Sequence, residues 1–154
     1  MLPDQVIGRD IWSQISDVTV RGIYRMILKR ARAGQRVTFQ YRCDSSTHRR
    51  TFEMVVVSES AEVVRFDSHL VHDEERPPVP FLDEEQARDD RRLIVCSWCQ
   101  RVALGDGQWI AVEDAVRQMG YLKSATLPLL SHGICPECAA AAFGAFGEPP
   151  AEIA

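Results

Sequence analysis

Two Cys-x-x-Cys pairs, Cys96-Ser97-Trp98-Cys99 and Cys135-Pro136-Glu137-Cys138, are the residues best suited to chemistry in this chain. A two-residue gap lets a tight turn aim two sulfurs at one ion, and the amides of such a turn point at the thiolates and lower their pKa. Two turns of this kind supply four soft ligands, the set preferred by tetrahedral zinc. Four ligands close the coordination shell, so the spacing predicts a structural zinc on Cys96, Cys99, Cys135 and Cys138. Three other readings compete. An iron–sulfur cluster uses different spacings, a redox dithiol wants one reactive pair at a helix start in a βαβ setting, and the cysteines could be unrelated buried thiols. His132, three residues before Cys135, could replace a cysteine as ligand, but because four cysteines already suffice it is expected to bond a thiolate from outside the ligand set or to pack over the site. Cys43 stands alone in an alternating run and reads as a buried core thiol. Trp12, Trp98 and Trp109 read as core or knuckle-packing residues, and His48-Arg49-Arg50 as a solvated turn. The chain has no phosphate-cradling glycine loop, nucleophile elbow or His-Glu-x-x-His helix. The expectation is therefore a protein that is not an enzyme.

These residues must be positioned by regular elements. Residues 10–15 read as a short helical turn, and Ser16 or Asp17 can cap a longer helix. In that helix Val20, Ile23, Tyr24, Ile27 and Leu28 form one buried stripe, with Arg21, Arg25, Lys29 and Arg32 on the solvated side. Gly34 is placed to end it. Three strand-like runs follow: Val37 to Cys43, Phe52 to Val56, and 63–71. Residues 73–92 are rich in charge and carry Pro77, Pro78 and Pro80, which reads as an acidic linker with a short apolar anchor at Val79-Pro80-Phe81-Leu82. Beyond it, Gly105-Asp106-Gly107 marks a hairpin, Val112 to Met119 a helix, and Ala139 to Phe143 a second one. The expected fold class is α+β. A helix and three-stranded antiparallel meander occupy 1–72, the linker 73–92, a small zinc module with hairpin and helices 93–146, and a frayed tail 147–154.

The chain has 154 residues, 45% hydrophobic and 26% charged, which excludes wholesale disorder. No apolar run is long enough for a membrane span, and the start lacks a basic-then-apolar leader, so the expected compartment is the cytoplasm. The net charge of −4 is unevenly spread. Residues 1–50 carry ten basic and four acidic residues, whereas 51–92 carry five and twelve. Either the two regions face each other or are simply solvated, or the basic third binds nucleic acid.

The last third resembles a known tail. Cys96-Ser97-Trp98-Cys99, Asp106-Gly107-Gln108-Trp109 and Ser131-His132-Gly133-Ile134-Cys135-Pro136-Glu137-Cys138 are similar to the cysteine-rich C-terminal segment of many bacterial PAS-type signal-transduction proteins. Val6-Ile7-Gly8-Arg9-Asp10-Ile11-Trp12 is similar to the segment entering the central helices of a PAS domain. The helix and three strands after it would match that family's long helix and last three strands. A complete PAS sheet has two strands ahead of these elements, for which residues 1–5 leave no room. The resemblance thus implies an abbreviated PAS-like module, with no heme, flavin or ligand residue carried over. It implies a sensory or protein-interaction role, a protein partner or self-association through the open strand at 63–71, and no membrane. The alternatives are a zinc-dependent nucleic-acid-binding regulator and a thiol redox sensor.

Overall fold

The apolar stripe of the long helix dictates the first layer. In the computed structural model, which describes residues 7–83, 85–121 and 126–147, helix α1 (Ile11–Gln14) is capped by Asp10. Helix α2 (Val18–Arg32) is capped by Asp17, whose carboxylate accepts from the Val20 N–H at 2.9 Å. At the other end Gly34 adopts φ 81°, a left-handed conformation that glycine reaches without steric cost. This lets the Gly34 N–H donate to Ala31 and the Gln35 N–H to Arg30, satisfying carbonyls the helix leaves open.

The buried side of α2 covers a three-stranded antiparallel meander, β1 (Val37–Arg42), β2 (His48–Ser58) and β3 (Val64–Glu75), in the order β1-β2-β3. The register sets Val37 opposite Val56 and Phe39 opposite Met54, and Val56 opposite Phe66. These residues therefore share one face and meet Ile23, Met26, Ile27 and Ala31 in a first core. Strand β3 outruns the 63–71 expected from alternation. It stays paired with β2 as far as Glu75 opposite His48, with a register shift near Thr51. Its far half is exposed and charged, so no apolar alternation marks it.

A second, four-stranded sheet comprises β4 (Arg88–Cys96), β5 (Val102–Ala103), β6 (Trp109–Ile110) and β7 (Leu127–Gly133), ordered β6-β5-β4-β7. Strands β5 and β6 form the expected hairpin around Gly105-Asp106-Gly107. Strands β4 and β7 run parallel, joined by a connection that carries α3 (Val112–Gln118). A final helix, α4 (Pro136–Phe146), follows the second cysteine pair. The second core unites Val79, Phe81, Leu93, Val95, Val102, Val112, Ala115, Val116 and Leu127. The architecture is α+β. No helix among the described residues is long and apolar enough to cross a membrane.

The segment read as a linker at 73–92 is built into the structure instead. Both of its ends are strand, and between them Val79 and Phe81 are buried. Phe81 meets Tyr121 edge-on at 4.9 Å, so the apolar anchor docks on the second core. Arg76 is only 7% exposed. It pairs with Asp44 at 3.0 Å and Glu113 at 2.9 Å, and donates to the Ser45 carbonyl. Glu113 also takes Arg49 of β2 at 2.6 Å. Charge density suggests a solvated chain, but Arg76 is neutralised by Asp44 and Glu113 at the junction of the first sheet and α3. The division of the chain at 72 and 93 does not separate the cores either, because Ala142 and Phe146 of α4 lie in the first one. Of the tail expected at 147–154, residues 148–154 lie outside the described residues.

Two outcomes follow from this charge cluster. Arg76→Ala strips the buried Asp44 carboxylate of one partner and should cost about 3 kcal/mol, read by urea denaturation. Burial opposes ionisation of Glu113, but hydrogen bonds from Arg49, its own backbone and Arg76 outweigh it and hold the carboxyl at about 2, below its ordinary 4.5. A depressed carboxyl stabilises the fold fully above its unfolded value and loses that effect as pH falls to the folded one. Between about pH 4.5 and 2, Glu113→Gln should therefore flatten the acid loss of melting temperature relative to the parent.

Candidate metal centre

The sulfur ligands arrive on two different kinds of backbone. Cys96 ends β4, and the chain turns at once. The Gln100 N–H donates to the Cys96 carbonyl at 3.0 Å, and the Cys96 N–H to the Arg101 carbonyl at 2.8 Å. Closing this loop drives Gln100 to φ 62°, a left-handed conformation unusual for a side chain that is not glycine. The Gln100 side chain offsets this by donating to the carbonyl of Arg42. Cys135 caps α4, with Pro136 in its first turn, so Cys138 lies one turn inside the helix. The Arg101–Glu137 ion pair, 2.9 Å, bridges the two loops.

The four sulfurs of Cys96, Cys99, Cys135 and Cys138 all lie within 4.8 Å of one another, and those of Cys99 and Cys135 are 3.7 Å apart. A tetrahedral ion with bonds of about 2.3 Å needs its sulfurs about 3.8 Å apart. The cluster thus fits a metal ion. Its electrostatics agree. A hydrogen bond from the Cys99 thiol, helped by N–H groups of Cys135, Cys99 and Trp98 against the effect of burial, lowers the Cys96 thiol to about 5. Cys99 is pushed up by that same bond and by burial. Burial, then the bond to Cys135, pushes Cys138 up to about 12. The Cys96 proton leaves readily, while those of Cys99 and Cys138 are held. A bound cation reverses this by drawing negative charge from every sulfur.

The loop is also fastened to the first half. The Arg42 N–H, at the end of β1, donates to the Trp98 carbonyl at 2.8 Å, and the Arg42 guanidinium to the Cys99 carbonyl at 3.1 Å. Trp98 stacks on Phe39 at 5.4 Å and meets Tyr24 at 6.1 Å. The knuckle-packing role expected of Trp98 holds, though the surface it packs on belongs to the other core. None of Gln100, Arg42 or the Arg101–Glu137 pair was marked in the sequence. Their signals depend on partners distant along the chain.

Two expectations are corrected. His132 is exposed on β7, opposite Val95 in the parallel register. Among the described residues it makes no hydrogen bond to a sulfur. It lines a cavity of about 540 Å³ with Asp17, Tyr24, Phe66, Ser97 and Ser131. Backbone N–H groups occupy the position assigned to it, the Cys135 N–H donating to the Cys96 sulfur at 3.4 Å. Cys43 is exposed, since it falls one residue beyond the end of β1. Gly133, in the same short motif as His132, has a visible reason. A Cβ there would meet Ile94 at 3.0 Å and the Asp17 carboxylate at 3.3 Å, so glycine lets the α2 cap approach the end of β7.

Comparison with protein-family models, curated proteins and solved structures found no match.

Thiol accounting tests the centre. Metal-loaded protein should expose one fast-reacting thiol, Cys43, to a thiol reagent, and all five after chelation. Trp98→Ala should cost about 3 kcal/mol through lost aromatic packing while the sulfurs stay protected until the fold melts.

Proposed function

We propose that the chain is a non-enzymatic sensory or protein-interaction module whose two cores are held together by one structural zinc ion. One observation carries this reading: four sulfurs meet at the joint between the cores, leaving no ligand position for water or substrate. An ion so enclosed supplies no Lewis-acid chemistry, and its role is to tie β4 to α4. The resemblance of the cysteine segments to the tail of bacterial PAS-type proteins, and of α2 and the meander to part of a PAS domain, supports a signalling context. The cavity beside α2 offers a place where a small molecule could be read.

The partner we propose is a second copy. Strand β3 forms an edge of its sheet, with β2 on one side only, and Leu70 and Val71 on it are half exposed. An open edge is a template for strand addition. In an antiparallel pairing of β3 about its midpoint, Arg65 of one copy falls opposite Glu74 of the other, and Asp67 opposite His72. The charges therefore favour that register.

Two measurements test these statements. Metal analysis of protein purified without added metal should find one zinc per chain, and Cys135→Ser should lose it together with most of the thermal stability. Sedimentation should show a dimer that Arg65→Glu weakens by about tenfold or more without lowering zinc content. A strict monomer at millimolar concentration, with fast-exchanging amides along β3, would remove the proposed partner. Free thiols and no metal would remove the zinc.

A further inference from the structure

Helix α2 carries Arg21, Arg25, Lys29, Arg30 and Arg32 and no carboxylate, and Arg36 follows its terminal turn. Arg25, Lys29, Arg32 and Arg36 are exposed. The three on the helix recur at three- and four-residue spacing, so they share its outward side, away from the buried stripe. Like charges at this spacing repel one another.

Among the described residues, the carboxylates in ion pairs are paired with other cations. Arg42, Arg49, Arg65, Arg76, Arg91, Arg101 and Arg117 each pair with a carboxylate. Among the described residues, no carboxylate pairs with any cation of 21–36. The Arg21 guanidinium donates to the Ile15 carbonyl, and Arg25 lies over the Trp12 ring at 5.5 Å. The acidic middle of the sequence is engaged elsewhere: Glu59 and Asp67 hold Arg65, Glu74 holds Arg49, and Asp89 holds Arg91. The basic and acidic regions therefore do not face each other at this helix.

We infer that the outward face of α2 binds the phosphate backbone of nucleic acid without sequence preference, through Arg25, Lys29, Arg32 and Arg36. A protein partner needs a desolvated apolar centre, and the only exposed apolar residue on this helix is Val18, at its N-terminal end. An amphipathic helix holds to a lipid surface chiefly by inserting an apolar face, and that of α2 is committed to the first core. A phosphate array requires neither, since it takes cations by exchange for condensed counterions. No described feature of this face suits base-edge reading, which is why the contact is unspecific.

The test uses the full zinc-loaded chain and a short fluorescein-labelled DNA duplex of mixed sequence, followed by anisotropy. With four cations engaged, the logarithm of the association constant should fall against log salt with a slope of about −3 to −4. Lys29→Gln/Arg32→Gln removes two charges on a residue type that suits helices. It should reduce the slope by about 2 and weaken low-salt binding about tenfold or more. Arg91→Gln/Arg117→Gln, an equal charge change elsewhere, should leave both unchanged. Zinc content and melting temperature check the fold of each variant. No duplex binding at low salt, or equal losses in the two variants, would overturn the inference. So would a polyglutamate chain or anionic vesicles that bind more tightly than the duplex with the same sensitivity to Lys29→Gln/Arg32→Gln, which would make the face a site for acidic protein or lipid. Because the readout does not depend on β3, it stands or falls separately from the proposed dimer.

Discussion

Four cysteine sulfurs, brought within 4.8 Å of one another, are the constraint around which the chain is arranged. They come from the end of a strand in the second sheet and from the start of a helix that packs in the first core. Without a cation the Cys96 thiol gives up its proton readily, while Cys99 and Cys138 hold theirs. With a cation the cluster becomes a covalent-strength joint. The surrounding features serve that joint: the left-handed Gln100 closes one loop, Pro136 starts the other, and Arg101 with Glu137 spans the two.

The cysteine cluster is one of several ties between the halves. Trp98 enters the first core from the cysteine loop, Phe146 from the last helix, and Arg49 reaches from β2 to Glu113 on α3. The ties differ in kind. Aromatic burial is favourable over a wide pH range. The Arg49–Arg76–Asp44–Glu113 cluster weakens in acid, and ligation of an ion by the four sulfurs would weaken with acid, oxidation or chelation.

The sequence was most legible where one element carries its own signal. The α2 stripe, its Asp17 cap and Gly34 stop, the three alternating runs and the glycine hairpin all encode local geometry, and the structure contains each. The four cysteines announced their cluster through spacing alone. What could not be read depended on pairing across the chain. Arg88 to Arg92 looks like a solvated run, yet it extends β4, because β7 supplies a parallel neighbour and Arg91 has Asp89 beside it. Phe81 looked like a loose anchor, and its burial needed Tyr121. His132 was assigned to the sulfurs from proximity in sequence, but as a residue of β7 it projects toward the cavity while the sulfurs gather at the strand end.

The placement of α4 also bears on how the molecule is made. Residues of α2 wait for Ala142 and Phe146 to complete their core, so the contacts that finish the first half are among the most distant in the chain. Such non-local closure is slow, and a partly synthesised chain exposes apolar surface until it occurs. Cys135 and Cys138 also emerge late from the ribosome, after β4 has already presented Cys96 and Cys99. Completion of the cysteine cluster and closure of the first core therefore fall in the same late window, and a chain interrupted before it keeps an open helix–sheet face rather than lacking only a peripheral module.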